Sequence, residues 1–166
     1  MRKFEVAKKR GFKIVKGWED KGINLPTQGT EGSAGYDFEI AEDVIIPSMI
    51  NLTFNINKRG LSPTLVPTGI KAYMQEDEFL ALYNRSSFPL NKKIMLANNT
   101  AVIDSTYYEN PENDGHIMFQ FLNFGDRDIL LKKGTRIGQG VFHKYLLADN
   151  GNSKRKRTNG FGSTGE

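Results

Sequence analysis

The sequence predicts an all-β barrel or jelly roll, and three observations carry that reading. Short apolar runs recur at intervals of roughly ten residues, turn residues lie between them, and no segment keeps a helical period over three turns. In chain order the strand-like runs are "FKIVKG" (12–17), "EDVIIP" (42–47), "MINLTFNIN" (49–57), "GIKAYM" (69–74) and "EFLALY" (78–83). They continue with "KIMLAN" (93–98), "HIMFQFLN" (116–123), "DILLKKG" (128–134) and "GVFHKYLL" (140–147). Pro47, Pro63, Pro67, Pro89 and Pro111, the pair Gly125-Asp126 and the stretch Lys132-Lys133-Gly134 mark the turns. The one helical candidate is "SSFPLNKK", where Ser86 or Ser87 can cap a short piece. Residues 26–35, "PTQGTEGSAG", read as a loop.

A chain of 166 residues holds one domain with a substantial core, which we assign to residues 1–153, followed by a flexible segment at 154–166. Eleven Phe, six Tyr and 38% hydrophobic residues make the composition globular. No run reaches the length of a membrane span and no secretion signal is evident, so the expectation is a cytoplasmic protein without membrane attachment. The chain has no cysteine, which excludes disulfides, thiolate zinc sites and cysteine nucleophiles. The net charge is +4, and Lys154, Arg155, Lys156 and Arg157 supply four positive charges alone. The body is therefore balanced, and a patch that small suits a compact anion as well as nucleic acid.

Five clusters can carry chemistry. In "GSAGYDFEI", Asp37 opens a strand; alone it reads more readily as an exposed acid after a turn. "YNRSSFP" offers the Arg85 guanidinium and the hydroxyls of Ser86 and Ser87 after a strand, a cradle for phosphate, and a capping role explains the serines but not the arginine. "LANNTAVIDSTYY" looks like a hairpin. Asn98 or Asn99 can pair with the edge of a planar base, and Asp104, set between apolar and aromatic residues, can orient a water. In "KKGTRIGQGVF", Gln139 lies between two glycines, which mark either a bulge or the close approach of another backbone or a ligand. His116 and His143 lack metal-ligand spacing and read as structural. The last cluster, "GFGSTG", combines backbone amides and hydroxyls with Phe161 beside positive side chains.

Taken in order, "AGYD", "RSS", "VIDSTY", "GTRIGQ" and "GFGSTG" resemble the five motifs of the trimeric deoxyuridine triphosphatases (dUTPases), over about residues 25–166. The resemblance implies a distorted jelly roll assembled as a homotrimer with shared active sites. It implies hydrolysis of dUTP to dUMP and pyrophosphate, assisted by Mg²⁺ held by substrate phosphates and waters, with Asp37 in the surrounding network. Arg85, Ser86, Ser87 and Gln139 would bind phosphates. The segment from Asn98 through Ala101, Val102 and Ile103 would hold uracil, largely by backbone groups. Tyr107 would pack on the deoxyribose and exclude a 2′-hydroxyl, and Asp104 would hold the attacking water. Arg157 would meet the γ-phosphate, Phe161 would stack on the base, and Gly162, Ser163 and Thr164 would close over the phosphates as a lid. No nucleic-acid partner follows from this reading.

Three positions depart from the family pattern. Ala101 stands where a glycine is usual, "ENPENDG" is longer and more acidic, with an offset of the next strand expected, and Lys156 takes the usual arginine position. Two rivals remain at this stage. The dCTP deaminases share the fold and the Arg-Ser-Ser element, but Gln120 stands where they use a glutamate to shuttle a proton. A non-enzymatic module binding through the basic tail would leave the acids and amides of 98–104 without a role.

Overall fold

In the computed structural model, residues 9–50 and 62–151 are described. Residues 51–57 of the predicted strand 49–57 and the whole terminal cluster 154–166 lie outside the described residues. The described chain forms β1 (Gly11–Ile14), β2 (Thr27–Gln28), β3 (Tyr36–Glu39), β4 (Val44–Ile46), β5 (Thr64–Pro67) and β6 (Ile70–Tyr73). These are followed by β7 (Glu78–Asn84), β8 (Ile94–Leu96), β9 (Ala101–Asp104), β10 (Met118–Asn123), β11 (Ile129–Leu131) and β12 (Arg136–Lys144). A five-stranded sheet runs β2-β3-β12-β7-β9, a three-stranded sheet runs β5-β10-β8, and β1-β6 and β11-β4 form two-stranded ribbons. Every strand pairing is antiparallel. The all-β prediction holds.

Side-chain alternation explains why these segments stand as strands. In β10, Phe119, Phe121 and Asn123 are buried while Met118, Gln120 and Leu122 are half-buried, the period-two signature of a strand with one face on the core. Phe119 stacks on Phe121, and both rings meet neighbours across the core, Phe38 and Phe88 respectively. Burying each such ring stabilises the fold by roughly 2–3 kcal/mol. Leu80, Leu82, Ile94, Ile117 and Ile137 complete the centre.

The glycines beside Gln139 serve this core. A Cβ on Gly138 would sit 2.2 Å from Phe119 Cε1, and one on Gly140 would sit 2.8 Å from Phe38 Cε2. The close approach read from the sequence is made by core rings, and a register irregularity between Arg136 and Gly138 adds the expected bulge. β12 accordingly begins at Arg136, four residues before the predicted run, and ends at Lys144, leaving Leu146 and Leu147 exposed. The predicted helical piece is a single wide turn, Phe88–Lys92, with Ser87 at its N-cap but making no side-chain capping hydrogen bond. β10 starts at Met118, within the predicted run 116–123.

Candidate active site

The turn at 97–100 is where the sequence reading needs correction. "LANNTAVIDSTYY" reads as a hairpin, yet β8 pairs with β10 and β9 pairs with β7, so the two strands belong to different sheets. The cause is packing. Ile94 and Leu96 bury their side chains in the core, and Ala97 N–H donates to Gln120 O at 2.8 Å, which ties the end of β8 to β10. The chain then crosses over through Asn99, at φ 60°, a left-handed conformation that asparagine tolerates well. Asn98 and Asn99 are exposed at the top of this arch.

Among the described residues β9 lies at the edge of the five-stranded sheet and pairs only with β7. Its outer side therefore presents backbone N–H and C=O groups in a row, the pattern needed to read a planar base by hydrogen bonds. Ala101 and Ile103 pack on the core while Val102 is 59% exposed. Asp104 ends the strand in a half-buried position and leads into a 3₁₀ turn, Ser105–Tyr107.

The turn is held from behind by residues 108–116. Tyr107 is 6% exposed, and its hydroxyl donates to His116 O at 3.0 Å while accepting from Asn113 Nδ2 at 2.7 Å. Asn110, also buried, donates from Nδ2 to Tyr107 O at 2.9 Å and to Asn113 Oδ1 at 2.7 Å. Its Oδ1 accepts from the N–H groups of Glu112 and Asn113. Gly115, at φ 81°, passes so close that a Cβ would lie 2.8 Å from Tyr107 O. The acidic stretch "ENPENDG" is thus a loop folded around Tyr107.

Outward, the loop is anchored to β6. Lys71 Nζ meets Asp114 Oδ2 at 2.8 Å and Glu109 Oε1 at 3.0 Å, and Lys16 N–H donates to the same Asp114 oxygen. Burial alone would lower the Lys71 pKa and raise that of Asp114; their mutual hydrogen bond, with Glu109 assisting, outweighs it, so Lys71 is raised and Asp114 lowered. His116 is buried, accepts from Gly69 N–H at Nε2 (2.9 Å), and has Trp18 at its edge. Burial first, and repulsion from Lys21 second, push its pKa down to about 4. His143 stacks on Phe79 beside Tyr83. Both histidines do structural work, as read from the sequence.

The anion-binding candidates lie at the other end of the same sheet. Arg85, half-buried, and the pair Ser86 and Ser87 follow the last residue of β7, where Phe88 N–H donates to Arg85 O. Gln139 sits opposite Tyr83 on one side and Asp37 on the other. Gly35 passes directly against the Gln139 side chain, and a Cβ there would collide with Oε1. Asp37 is half-buried and ion-paired with Arg136 at 3.1 Å, rather than the exposed acid that the preceding turn alone suggests. Arg136, inside "GTRIGQ", joins this group without any mark in the sequence, because its partner Asp37 lies on another strand.

Among the described residues, the candidates are therefore not gathered into one place. Asp104 pairs with Phe79, at the opposite end of β7 from Arg85. At ~3.3 Å per residue the two positions are about 20 Å apart along the strand. Among the described residues no group of three or more His, Asp or Glu can hold a metal. Nor is any helix among them long and apolar enough to cross a membrane.

A jelly roll with an edge strand suited to a base, a carboxylate beside it, and a separate cluster of arginine and hydroxyls defines a nucleotide-handling protein. The dUTPase family model matches residues 21–165. The chain belongs to the dUTPase family. The deoxyuridine 5′-triphosphate nucleotidohydrolase of Lactococcus lactis is 46% identical over 159 residues, covering 94% of this chain and 97% of the relative. A crystal structure of dUTPase from Streptococcus mutans superposes with a TM-score of 0.73 at 40% identity, over 84% of this chain and 99% of that one. The dUTPase of Staphylococcus aureus phage phi11, 13% identical with a TM-score of 0.67 over 89% of this chain and 97% of its own, shares the fold.

Proposed function

We propose that the protein is a dUTP diphosphatase, hydrolysing dUTP to dUMP and pyrophosphate in the cytoplasm, where nucleoside triphosphates are held. The observation that supports this most is the combination of a strand edge at Ala101–Ile103, unpaired among the described residues, with a half-buried acid, Asp104, at its end. The backbone groups of 101–103, with Asn98 beside them, hold uracil; Ala101 in place of glycine keeps the same amide. Close fit against the base excludes thymine, since an apolar pocket alone separates one methyl group by only about 1–3 kcal/mol. Tyr107 forms the wall under the deoxyribose. Asp104 orients the attacking water and takes its proton as the α-phosphorus–oxygen bond to pyrophosphate breaks.

Arg85, Ser86, Ser87 and Gln139 bind the phosphate chain. From the segment outside the described residues, Arg157 reaches the γ-phosphate, Phe161 stacks on the base, and Gly162, Ser163 and Thr164 cover the phosphates. The roughly 20 Å between the Asp104 end and the Arg85 end of β7 favours a site completed between copies, in a homotrimer. Exposed apolar residues on the outer sheet faces, Leu65 and Met95 on one and Ile45 opposite Leu130 on another, offer surface for such assembly. Mg²⁺ fits this donor set because it keeps several waters and is commonly carried by phosphates, needing few protein carboxylates. Asp37, bonded to Arg136 through one oxygen, can face the hydrated ion with the other. When bound, the ion neutralises the charge of the triphosphate. A mutant of the phi11 enzyme is described as coordinating a structural Mg(II) ion.

A panel of dUTP, dCTP, dTTP and UTP with Mg²⁺, with products identified, tests this reading. Pyrophosphate and dUMP from dUTP alone are expected. Ammonia from dCTP would instead establish the deaminase reading, against which Gln120 in β10 argues, and inert, well-folded protein would favour a binding module.

A further inference from the structure

We propose that Asn113 is a positioning residue that sets the plane of the Tyr107 ring and thereby controls discrimination between deoxyribose and ribose nucleotides. The inference rests on the dUTPase reading above, in which Tyr107 lies under the sugar, and extends it to a residue in no motif of that reading. A phenol ring can swing about its side-chain bonds, and its hydroxyl is the longest lever on it. Here that lever is clamped between two partners of opposite kind. His116 O accepts the hydroxyl proton at 3.0 Å, and Asn113 Nδ2 donates to the same oxygen at 2.7 Å.

The asparagine is itself held. Its Oδ1 accepts from Asn110 Nδ2 at 2.7 Å and from Gly115 N–H at 3.1 Å, which orients the amide so that the NH₂ group faces the phenol. Asn110 in turn grips the backbone of the same tyrosine at 2.9 Å. The clamp therefore fixes Tyr107 at the ring tip and at the main chain together. Because Asp104 stands only three residues earlier, at the start of the Ser105–Tyr107 turn, the same clamp also fixes where the strand end leads.

A wall that excludes one oxygen atom must not yield by more than a fraction of an ångström, and steric selectivity falls sharply when the wall can tilt. The Asn113 bond supplies the stiffness. Asn113→Asp keeps shape but replaces the donating NH₂ with an acceptor, which cannot satisfy a phenol oxygen already donating to His116.

The test is the ratio of kcat/KM for dUTP to that for UTP in wild type, Asn113→Ala, Asn113→Asp, Tyr107→Phe and the Tyr107→Phe/Asn113→Ala pair. Wild-type turnover of dUTP reports on the underlying reading; the ratio in the variants reports on the clamp. Both Asn113 variants are expected to lose about tenfold in the ratio, the order of one hydrogen bond, chiefly through faster use of UTP, with dUTP turnover held within about threefold. On the Tyr107→Phe background, Asn113→Ala should change the ratio no further, since the bond it removes is already gone. An unchanged ratio in both Asn113 variants, or an equal further loss on the Tyr107→Phe background, would overturn the proposal, whatever happens to melting temperature. Should one Asn113 variant fail to fold, the other and Tyr107→Phe still decide it.

Discussion

The two ends of the five-stranded sheet are built in opposite ways. At the β9 end, the turn at 105–107 and the loop at 108–116 bond to one another through side-chain amides whose donors and acceptors are almost fully used. At the other end, Ser86 is exposed, Ser87 caps nothing, and the Oδ1 of neighbouring Asn84 is buried without a partner, alone in this among the described residues. On the proposed reading, the contrast follows from what each end has to recognise. A base and a sugar are told from near neighbours by single methyl or hydroxyl groups, so their pocket must be rigid before they arrive. Phosphates are recognised by charge, and their binding groups can be completed by ligand, ion and a second copy.

The sharpest way to break the contrast is at Asp104. Asp104→Asn should reduce dUTP turnover by about 10²–10⁴-fold, the scale of a general base, while nucleotide affinity measured by calorimetry stays near wild type. Near-normal turnover would remove Asp104 as the water-positioning group and leave the rigid end without its chemistry.

Acid should loosen the β9 end first. His116 titrates near 6.5 when unfolded and at about 4 when folded. The unfolded chain therefore binds more protons between those values, so this contribution is complete above pH 6.5 and is lost as pH falls toward 4, up to about 3 kcal/mol. Asp114 and Glu109, held below their usual range in the Lys71 cluster, add to the loss at lower pH. Denaturation midpoints from pH 7.5 to 4 should show the slope, and His116→Gln, a neutral acceptor, should flatten it. An unaltered slope would mean that the histidine is not the acid-sensitive group.

The mildest perturbation is Gly115→Ala, which forces an alanine to φ 81° with its Cβ against Tyr107 O. A loss of about 2 kcal/mol is expected from the strain and clash together, read by urea unfolding. Wild-type stability would show that the loop can relax away from Tyr107, and would count against the rigid end.

Much of this was legible in the sequence, for local reasons. Runs such as 78–83 and 116–123 alternate or cluster apolar residues strongly enough to mark β7 and β10. β2 has no apolar residue, and β5 is bracketed by Pro63 and Pro67, so neither stood out. The 97–100 arch was mistaken for a hairpin because turn residues announce a reversal but not a partner; pairing with β10 and β7 is decided by distant strands. Asn110 and Asn113 were hidden inside a stretch that reads as acidic, since an amide clamp depends on geometry and has no compositional signature. Arg136 carries no local mark of its role, because its pairing with Asp37 spans two strands.

On the proposed reading the two ends of the sheet meet only between copies, a requirement that mixing inactive chains probes. Asp104→Asn and Arg85→Ala proteins, each inactive alone, would be refolded together in equal amounts and assayed for pyrophosphate release from dUTP. If the ends of different copies form one site, about a quarter of the sites in random assemblies regain both intact residues, and activity returns to about that fraction of wild type. A mixture no more active than its separate components would place both residues in the same copy's site and contradict the claim.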